Sequence, residues 1–403
     1  MNGTGRRYYS MPCSTFPAAR TRSARSWPGR VRYSMPRNPK VDKLRTRLIL
    51  AFMVILATAA CGQDRPQPIT VVSWGGSYGR AVEEATIVPF SEATGIPVNL
   101  GAYNGGLAEI RAQVDIGNIQ WDVVSLEIAD AVQACDEGLL EPVDIDALPP
   151  GHDGTPAAED FVGETQTVCG APFLYASTVI VYNEENIPGE KPATMADFFD
   201  LEKFPGRRGM RRLAQANLEF ALLADGVPRD QVYPTLSTPD GLDRAFRKLD
   251  TIKDQVIWWE AGAQPPQMLA DGEVVMSTAY NGRIFNAQVL EDQPFVIIWD
   301  GQLLAFGQIG VVRGTPRLDA ALRYVGFATS AESLARISRR ISYSPTRRSG
   351  MPLVTTHLAT GVEMEPHLPA TPVNAARALR YDWAFWVDHQ DELNERFSTW
   401  LAR

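Results

Sequence analysis

The 403-residue chain is 45% hydrophobic and 21% charged, an ordinary globular composition on a length too great for one compact core. Its formal charge of −8 is unevenly spread: residues 1–60 hold twelve Lys/Arg and one acid, Asp42, and residues 61–403 hold 27 basic and 46 acidic groups, a net of −19. A body that acidic excludes sequence-independent nucleic-acid binding and adhesion to anionic lipid, and it suits a protein that stays dispersed or handles cationic ligands.

Residues 1–34 are rich in Arg, Ser and Tyr without periodicity. They read as a disordered extension, or as a start assigned too early with the true one at Met35. Residues 35–60 read as a signal peptide. Arg37, Lys40, Lys43, Arg45 and Arg47 form a basic flank, and 48–60 is an unbroken run of thirteen apolar residues. A membrane span needs about twenty. Ala59 and Ala60 directly before Cys61 look like a bacterial lipobox, although Thr58 stands where Leu is usual, so Cys61 is the candidate lipid-attachment site. Residues 61–68 read as a flexible tether.

Cys13 falls in the extension and Cys61 is the candidate lipid site, which leaves Cys135 and Cys169. They suggest one disulfide in an oxidising compartment, with two buried thiols as the alternative. No metal site is expected: neither Cys has a second Cys or a His at ligand spacing, and His152, His357, His367 and His389 show none. No cofactor is expected either, since the chain has no P-loop and no dinucleotide fingerprint.

After the tether, 69–73 predicts a short β-branched strand and 75–79 a Gly-rich loop. Helix follows over 80–94, ending at Gly95, then strand over 97–103, helix over 107–117, buried strand over 121–125 and helix over 129–137. Such alternation means βαβ units and a mainly parallel sheet, whose ligand crevice lies at the C-terminal ends of the strands. Further strands are expected at 177–183, 274–279 and 295–299. Helices are expected from Thr194 as N-cap, and over 218–225, 241–253, 318–329 and 332–338. Residues 343–372 read as loop, and 375–401 as a Trp-rich amphipathic helix.

Several segments, taken in order, resemble the periplasmic solute-binding proteins of ABC importers, of the spermidine/putrescine-binding type. They are Ser73-Trp74-Gly75-Gly76-Ser77-Tyr78, Trp121-Asp122-Val123-Val124, 135–141, Asp197-Phe198-Phe199-Asp200, Phe204-Pro205-Gly206-Arg207-Arg208-Gly209 and Ala279-Tyr280-Asn281-Gly282-Arg283. The resemblance implies an α/β, two-lobed periplasmic-binding-protein fold (type II) with a ligand cleft at the hinge. The lobes are expected at 66–175 with 281–325 and at 176–280 with 326–403, with crossings near 173–178 and 278–281. It also implies a monomer that captures a small solute and delivers it to a membrane permease, without catalysis.

The candidate ligand-binding residues are Trp74, Tyr78, Glu127, Arg211, Trp259, Tyr280 and Asp300. Trp74 and Tyr78 flank glycines that let a backbone approach a ligand, and aromatic faces hold ammonium groups. Trp258 and Trp259 point to opposite sides of an extended segment, which assigns one to the core and Trp259 to the cleft. Glu127 and Asp300, beyond the ends of expected strands, are the candidate acids. Where polyamine binders of this type carry acids, the chain has Arg211 and Arg212. An arginine there repels a polycation and clamps a carboxylate, so the expected solute is a polyamine or a zwitterion such as an ω-amino acid.

Gly75-Gly76-Ser77-Tyr78-Gly79 also matches G-x-S-x-G between a strand and a helix, which makes a secreted serine hydrolase using Ser77 the alternative. Against it, the elbow would sit on the first strand, with no preceding sheet to supply an oxyanion loop.

Overall fold

The computed structural model describes residues 66–403; the signal segment, Cys13 and the Cys61 site lie outside them. The first strand, β1 (Ile69–Ser73), is a β-branched run buried on both faces, as a strand inside a parallel sheet must be. β2 (Val98–Ala102) and β3 (Val123–Glu127) flank it in parallel. After them come β4 (Leu140–Glu141), β5 (Gly170–Asn183), β6 (Arg208–Arg211), β7 (Val256–Trp259), β8 (Met276–Tyr280), β9 (Phe295–Val312), β10 (Ser344–Pro345) and β11 (Leu379–Arg380). Among the described residues the order across the sheet is β2-β1-β3-β9-β5-β8-β6-β7, with β4 and β11 on β9 and β10 on β5.

Two long strands, β5 and β9, tie two strand groups together. They pair antiparallel from Gly170 opposite Gly310 to Asn183 opposite Phe295. β3 pairs only with Gly307–Val311 of β9, and β8 only with Thr178–Tyr182 of β5. The β5–β9 register breaks between Pro172 and Tyr175 and again between Thr178 and Ile180, where one group gives way to the other. Such irregularities bend a strand. β1 and β3 run opposite to β6, β7 and β8, as the pairings require. The C-terminal ends of the two groups therefore face each other.

The expected crossing near 173–178 coincides with the bend in β5. The one expected near 278–281 does not occur there. At that point the chain turns from β8 into a helix, and the second long strand is β9. The 295–299 strand was expected to stop at Trp299, but it continues through the turn-forming Gly301 (φ 69°) to Val312.

Five helices place the site: α1 (Gly76–Val82), α2 (Ile128–Asp136), α3 (Asn217–Ala224), α4 (Asn281–Leu290) and α5 (Trp383–Leu401). The 75–79 loop is mostly helix. Gly75, at φ 58°, ends the strand conformation in one residue, and α1 begins at Gly76. The expected helical stretch then runs through a π turn (Glu83–Ile87) to Thr94 and stops at left-handed Gly95. Thr194 caps its helix, sharing a capping box with Asp197. The C-terminal helix starts at Trp383 rather than 375, because Leu379–Arg380 pairs with Leu303 and Leu304 of β9.

Apolar clusters fill each side of the bend. One gathers Phe90, Phe173 and Tyr324 beneath β1 and β3; the other gathers Phe198, Phe220, Trp386 and Phe397. Cys135 at the end of α2 is bonded to Cys169 just before β5, with Cα atoms 5.5 Å apart. The two-thiol alternative is thereby set aside. Among the described residues no helix is long and apolar enough to cross a membrane.

Candidate functional site

Where the two sets of strand ends face each other, they enclose a cavity of about 100 Å³. Trp74 follows β1, Glu127 ends β3, Arg211 ends β6 and Tyr280 ends β8, and all four line it with Tyr78 from the first turn of α1. The lining is aromatic: Phe173 and Phe306 from the long strands and Tyr343 join Trp74, Tyr78 and Tyr280.

The aromatic groups are fixed by packing. Trp74 stacks on Tyr103 at 5.1 Å between ring centres, and a Cβ on Gly105 (φ 93°) would sit 2.9 Å from the indole. Tyr103 in turn donates to the Ser125 carbonyl. Tyr78 lies 5.6 Å from Tyr343. Burial pushes the Tyr78 and Tyr280 phenols far above their usual range and Tyr343 up to about 12, so the rings present neutral hydroxyls at neutral pH.

Charge enters from both sides. Arg211 Nη1 donates to Glu127 Oε1 at 3.0 Å, across the gap between β6 and β3. The arginine side chain is only 11% exposed and the glutamate 26%, so the pair is poorly screened. Burial lowers the Arg211 pKa, but Tyr280, Glu127 and Asp130 outweigh it and the net direction is upward. Asp130, on the first turn of α2, accepts from Gly106 N at 3.3 Å. Burial first, and then the Glu127 charge, raise its carboxyl to about 6. Arg283, on the first turn of α4, also lines the cavity and donates Nη2–H to the Trp74 carbonyl at 2.8 Å.

Two expected contacts lie elsewhere. Trp259 is 1% exposed and packs edge-on against the back of Tyr280, in a cluster with Val181, Leu269 and Ile284. Its neighbour Trp258 turns the other way, onto Phe397 and Trp400 of α5. Both faces of β7 are covered, so neither indole reaches the cavity. Asp300 lies inside β9, not beyond its end. It accepts from Met195 N at 3.4 Å and pairs with Arg377 at 3.5 Å. Arg212 is exposed and pairs with Glu260.

Among the described residues each of the four histidines is engaged elsewhere than at Ser77. His152 pairs with Glu332, His357 bonds Thr360, and His367 and His389 lie on the rings of Phe285 and Phe385. Among the described residues no group of three or more His, Cys, Asp or Glu side chains could hold a metal ion.

Comparison with known proteins decides the family. The model of the bacterial extracellular solute-binding protein family matches residues 85–370. The chain belongs to that family. Solute-binding proteins of this kind are not enzymes, which disposes of the hydrolase alternative. The solute-binding chain is similar to the gamma-aminobutyric acid-binding protein of Pseudomonas aeruginosa, at 41% identity over 348 residues, 86% of this chain and 95% of that one. It is similar in structure to the binding protein MotA of A. tumefaciens B6 in complex with glucopine, with a TM-score of 0.75 at 30% identity over 83% of this chain and 99% of the other. It is similar also to a solved GABA receptor, with a TM-score of 0.70 at 31% identity over 83% and 98%. These are two-lobed α/β binding proteins, and the solute-binding chain shares their architecture.

Proposed function

We propose that this protein is the extracytoplasmic substrate-binding component of an ABC importer for a small zwitterionic ω-amino acid, of which gamma-aminobutyric acid (GABA) is the leading candidate. The observation that carries the reading is a guanidinium and a carboxylate, Arg211 and Glu127, held 3.0 Å apart in one aromatic-lined cavity. A zwitterion needs an acid for its ammonium and an arginine for its carboxylate, and Glu127 lines the cavity together with two arginines, Arg211 and Arg283. The ammonium lies against Glu127 and the Trp74, Tyr78 and Tyr280 rings, and the carboxylate meets an arginine.

A polyamine fits less well. Arg211 and Arg283 line the cavity against the single carboxylate of Glu127, and a second ammonium would face two guanidinium groups. The relatives support the same choice, since two of them are described as GABA-binding.

In this reading, solute bridging the strand ends draws the two lobes together, and the closed form docks on a permease. Ligand stabilises the closed state only by its greater affinity for it. The lobe division we propose moves 281–304 to the second lobe, because β9 pairs there with the part of β5 that carries β8, and 326–345 to the first, because Leu334, Ile337 and Ile341 pack in the cluster beneath β1. The chain acts as a monomer, exported by the 35–60 signal and lipidated at Cys61.

A thermal-shift screen tests the reading. Saturation at 100 times the dissociation constant adds about 2.7 kcal/mol of stability. GABA, β-alanine and 5-aminovalerate should raise the melting temperature while putrescine and spermidine leave it unmoved. A response to polyamines alone overturns the zwitterion.

A further inference from the structure

Arg283 is a buried cation with no carboxylate. It is 5% exposed, it lines the cavity, and it forms no ion pair among the described residues. Its Nη2 is satisfied by the Trp74 carbonyl, but its Nε–H is buried without any acceptor. The other deeply buried arginines are satisfied differently. Arg347 pairs with Asp160 at 3.2 Å, and Arg208 gives its guanidinium to four backbone carbonyls. A buried guanidinium with an idle donor is costly unless something anionic meets it.

The surroundings hold it in that position. A Cβ on Gly76 would fall 2.5 Å from its Nη1, and one on Gly262 would fall 2.9 Å from its Nε, so two glycines open the space that the guanidinium fills. Gly76 is at φ 59° as well, a conformation glycine adopts without strain. Arg283 is the third residue of α4, a ten-residue helix whose N-cap Tyr280 also lines the cavity and offers no side-chain cap. The positive end of that helix thus lies at the cavity wall. Tyr78, Tyr280 and Tyr343 are the phenols that feel the Arg283 charge; Arg211 is engaged instead with Glu127.

We infer that Arg283, at the N-terminus of α4, is the residue that receives the solute's carboxylate, while Arg211 remains paired with Glu127 and orients that acid toward the ammonium. The inference rests on the zwitterion reading and gives the bound solute a direction: carboxylate toward α4, ammonium toward the end of β3. It makes Arg283 the specificity-determining residue between an ω-amino acid and an amine of the same length. Its bond to the Trp74 carbonyl joins the two strand groups, so the residue that reads the carboxylate also holds the aromatic ligand contact in place.

The test is calorimetric titration of the purified protein and its Arg283→Gln and Arg283→Lys variants with GABA and with 4-aminobutanamide, a neutral analogue of nearly the same shape in which an NH2 replaces one carboxylate oxygen. Wild type should prefer the acid by about 100-fold, as loss of a buried charge partner implies. In Arg283→Gln the preference should fall to less than about 5-fold, the acid losing about 20-fold more affinity than the amide. Arg283→Lys, which keeps the charge and secures the result should the Gln variant fail to fold, should lose about 10-fold in acid binding alone. Equal loss of acid and amide would show a merely structural role, and an intact acid preference would show another receptor; either overturns the inference. Failure of wild type to bind any ω-amino acid would instead bring down the functional reading on which the inference stands.

Discussion

Arg211, the last residue of β6, and Glu127, the last residue of β3, meet at 3.0 Å although 84 residues separate them in sequence. Each sits where its strand gives out, and the two strands belong to groups running in opposite directions. The pair exists because the topology points two sets of strand ends at one space, and it is the only ion pair among the described residues whose two members both line the cavity.

Glu127→Gln should therefore be felt twice. Removing the carboxylate leaves Arg211 nearly buried and unpaired, which should cost about 1–3 kcal/mol in urea unfolding. The same change removes the proposed ammonium partner and should weaken GABA by about 30-fold or more in titration. Unchanged binding would show that another acid holds the ammonium, and Asp130 would be the next to test.

The cavity was legible in the sequence wherever a residue lies at the end of a parallel strand or on the turn after it. Trp74, Glu127 and Tyr280 do, and the strand-end rule places them together; Arg211 was reached from the resemblance alone, since no strand is expected at 208–211, and Tyr78 stands on the first turn of α1. Asp300 misses the cavity because β9 does not stop at Trp299: the strand meets the lining only from Leu303 onward, and Asp300 lies before that point. Trp259 failed because alternation assigns two neighbouring tryptophans to two faces but does not say that a cluster covers one and α5 the other. Arg283 left its signal in Tyr280-Asn281-Gly282-Arg283, a strand end running straight into a helix. Only the packing of Gly76 and Gly262 around the guanidinium shows that it turns inward. Tyr343 lies in a segment with no periodicity at all, and nothing local marks it as a contact.

Gly76→Ala should be more damaging to binding than to folding. The substituted residue must hold φ 59° and bring a methyl to within 2.5 Å of Arg283 Nη1. Strain of this kind costs about 1–2 kcal/mol, but the displaced guanidinium should lower GABA affinity by about 10-fold or more. A melting curve and a titration on the same preparation separate the two effects.

Glu219 on α3 should impose a pH dependence on stability. Its Oε1 accepts from Trp386 Nε1 at 2.7 Å and Tyr233 Oη at 3.2 Å, and burial raises its carboxyl from 4.5 to about 7. Between those values the folded protein holds a proton that the unfolded chain has released. Stability therefore falls as pH rises through that window, by up to about 3 kcal/mol, and the full cost is present above it. Glu219→Gln removes the titration. Its melting temperature relative to wild type should climb from pH 5 to pH 8, and a difference independent of pH would contradict the assignment.

The Cys135–Cys169 bond closes a loop with a sequence separation of 34 residues. In the chain-entropy model such a loop contributes about 4 kcal/mol, and measured values usually lie between about 2 and 4. Unfolding of the Cys135→Ala/Cys169→Ala double variant should be easier by that amount in urea, and a reducing agent should destabilise wild type but not the variant. Because Cys135 ends the helix that Glu127 precedes, GABA affinity should change by less than about 3-fold.

The central claim is that the cavity takes a molecule carrying one positive and one negative end. Calorimetric titration of the purified wild-type protein with GABA and with putrescine, two four-carbon chains that differ in one terminal group, tests it most directly. GABA should bind at about micromolar affinity or better and putrescine more weakly by about 100-fold or more. Putrescine binding as tightly as GABA, or more tightly, would contradict it.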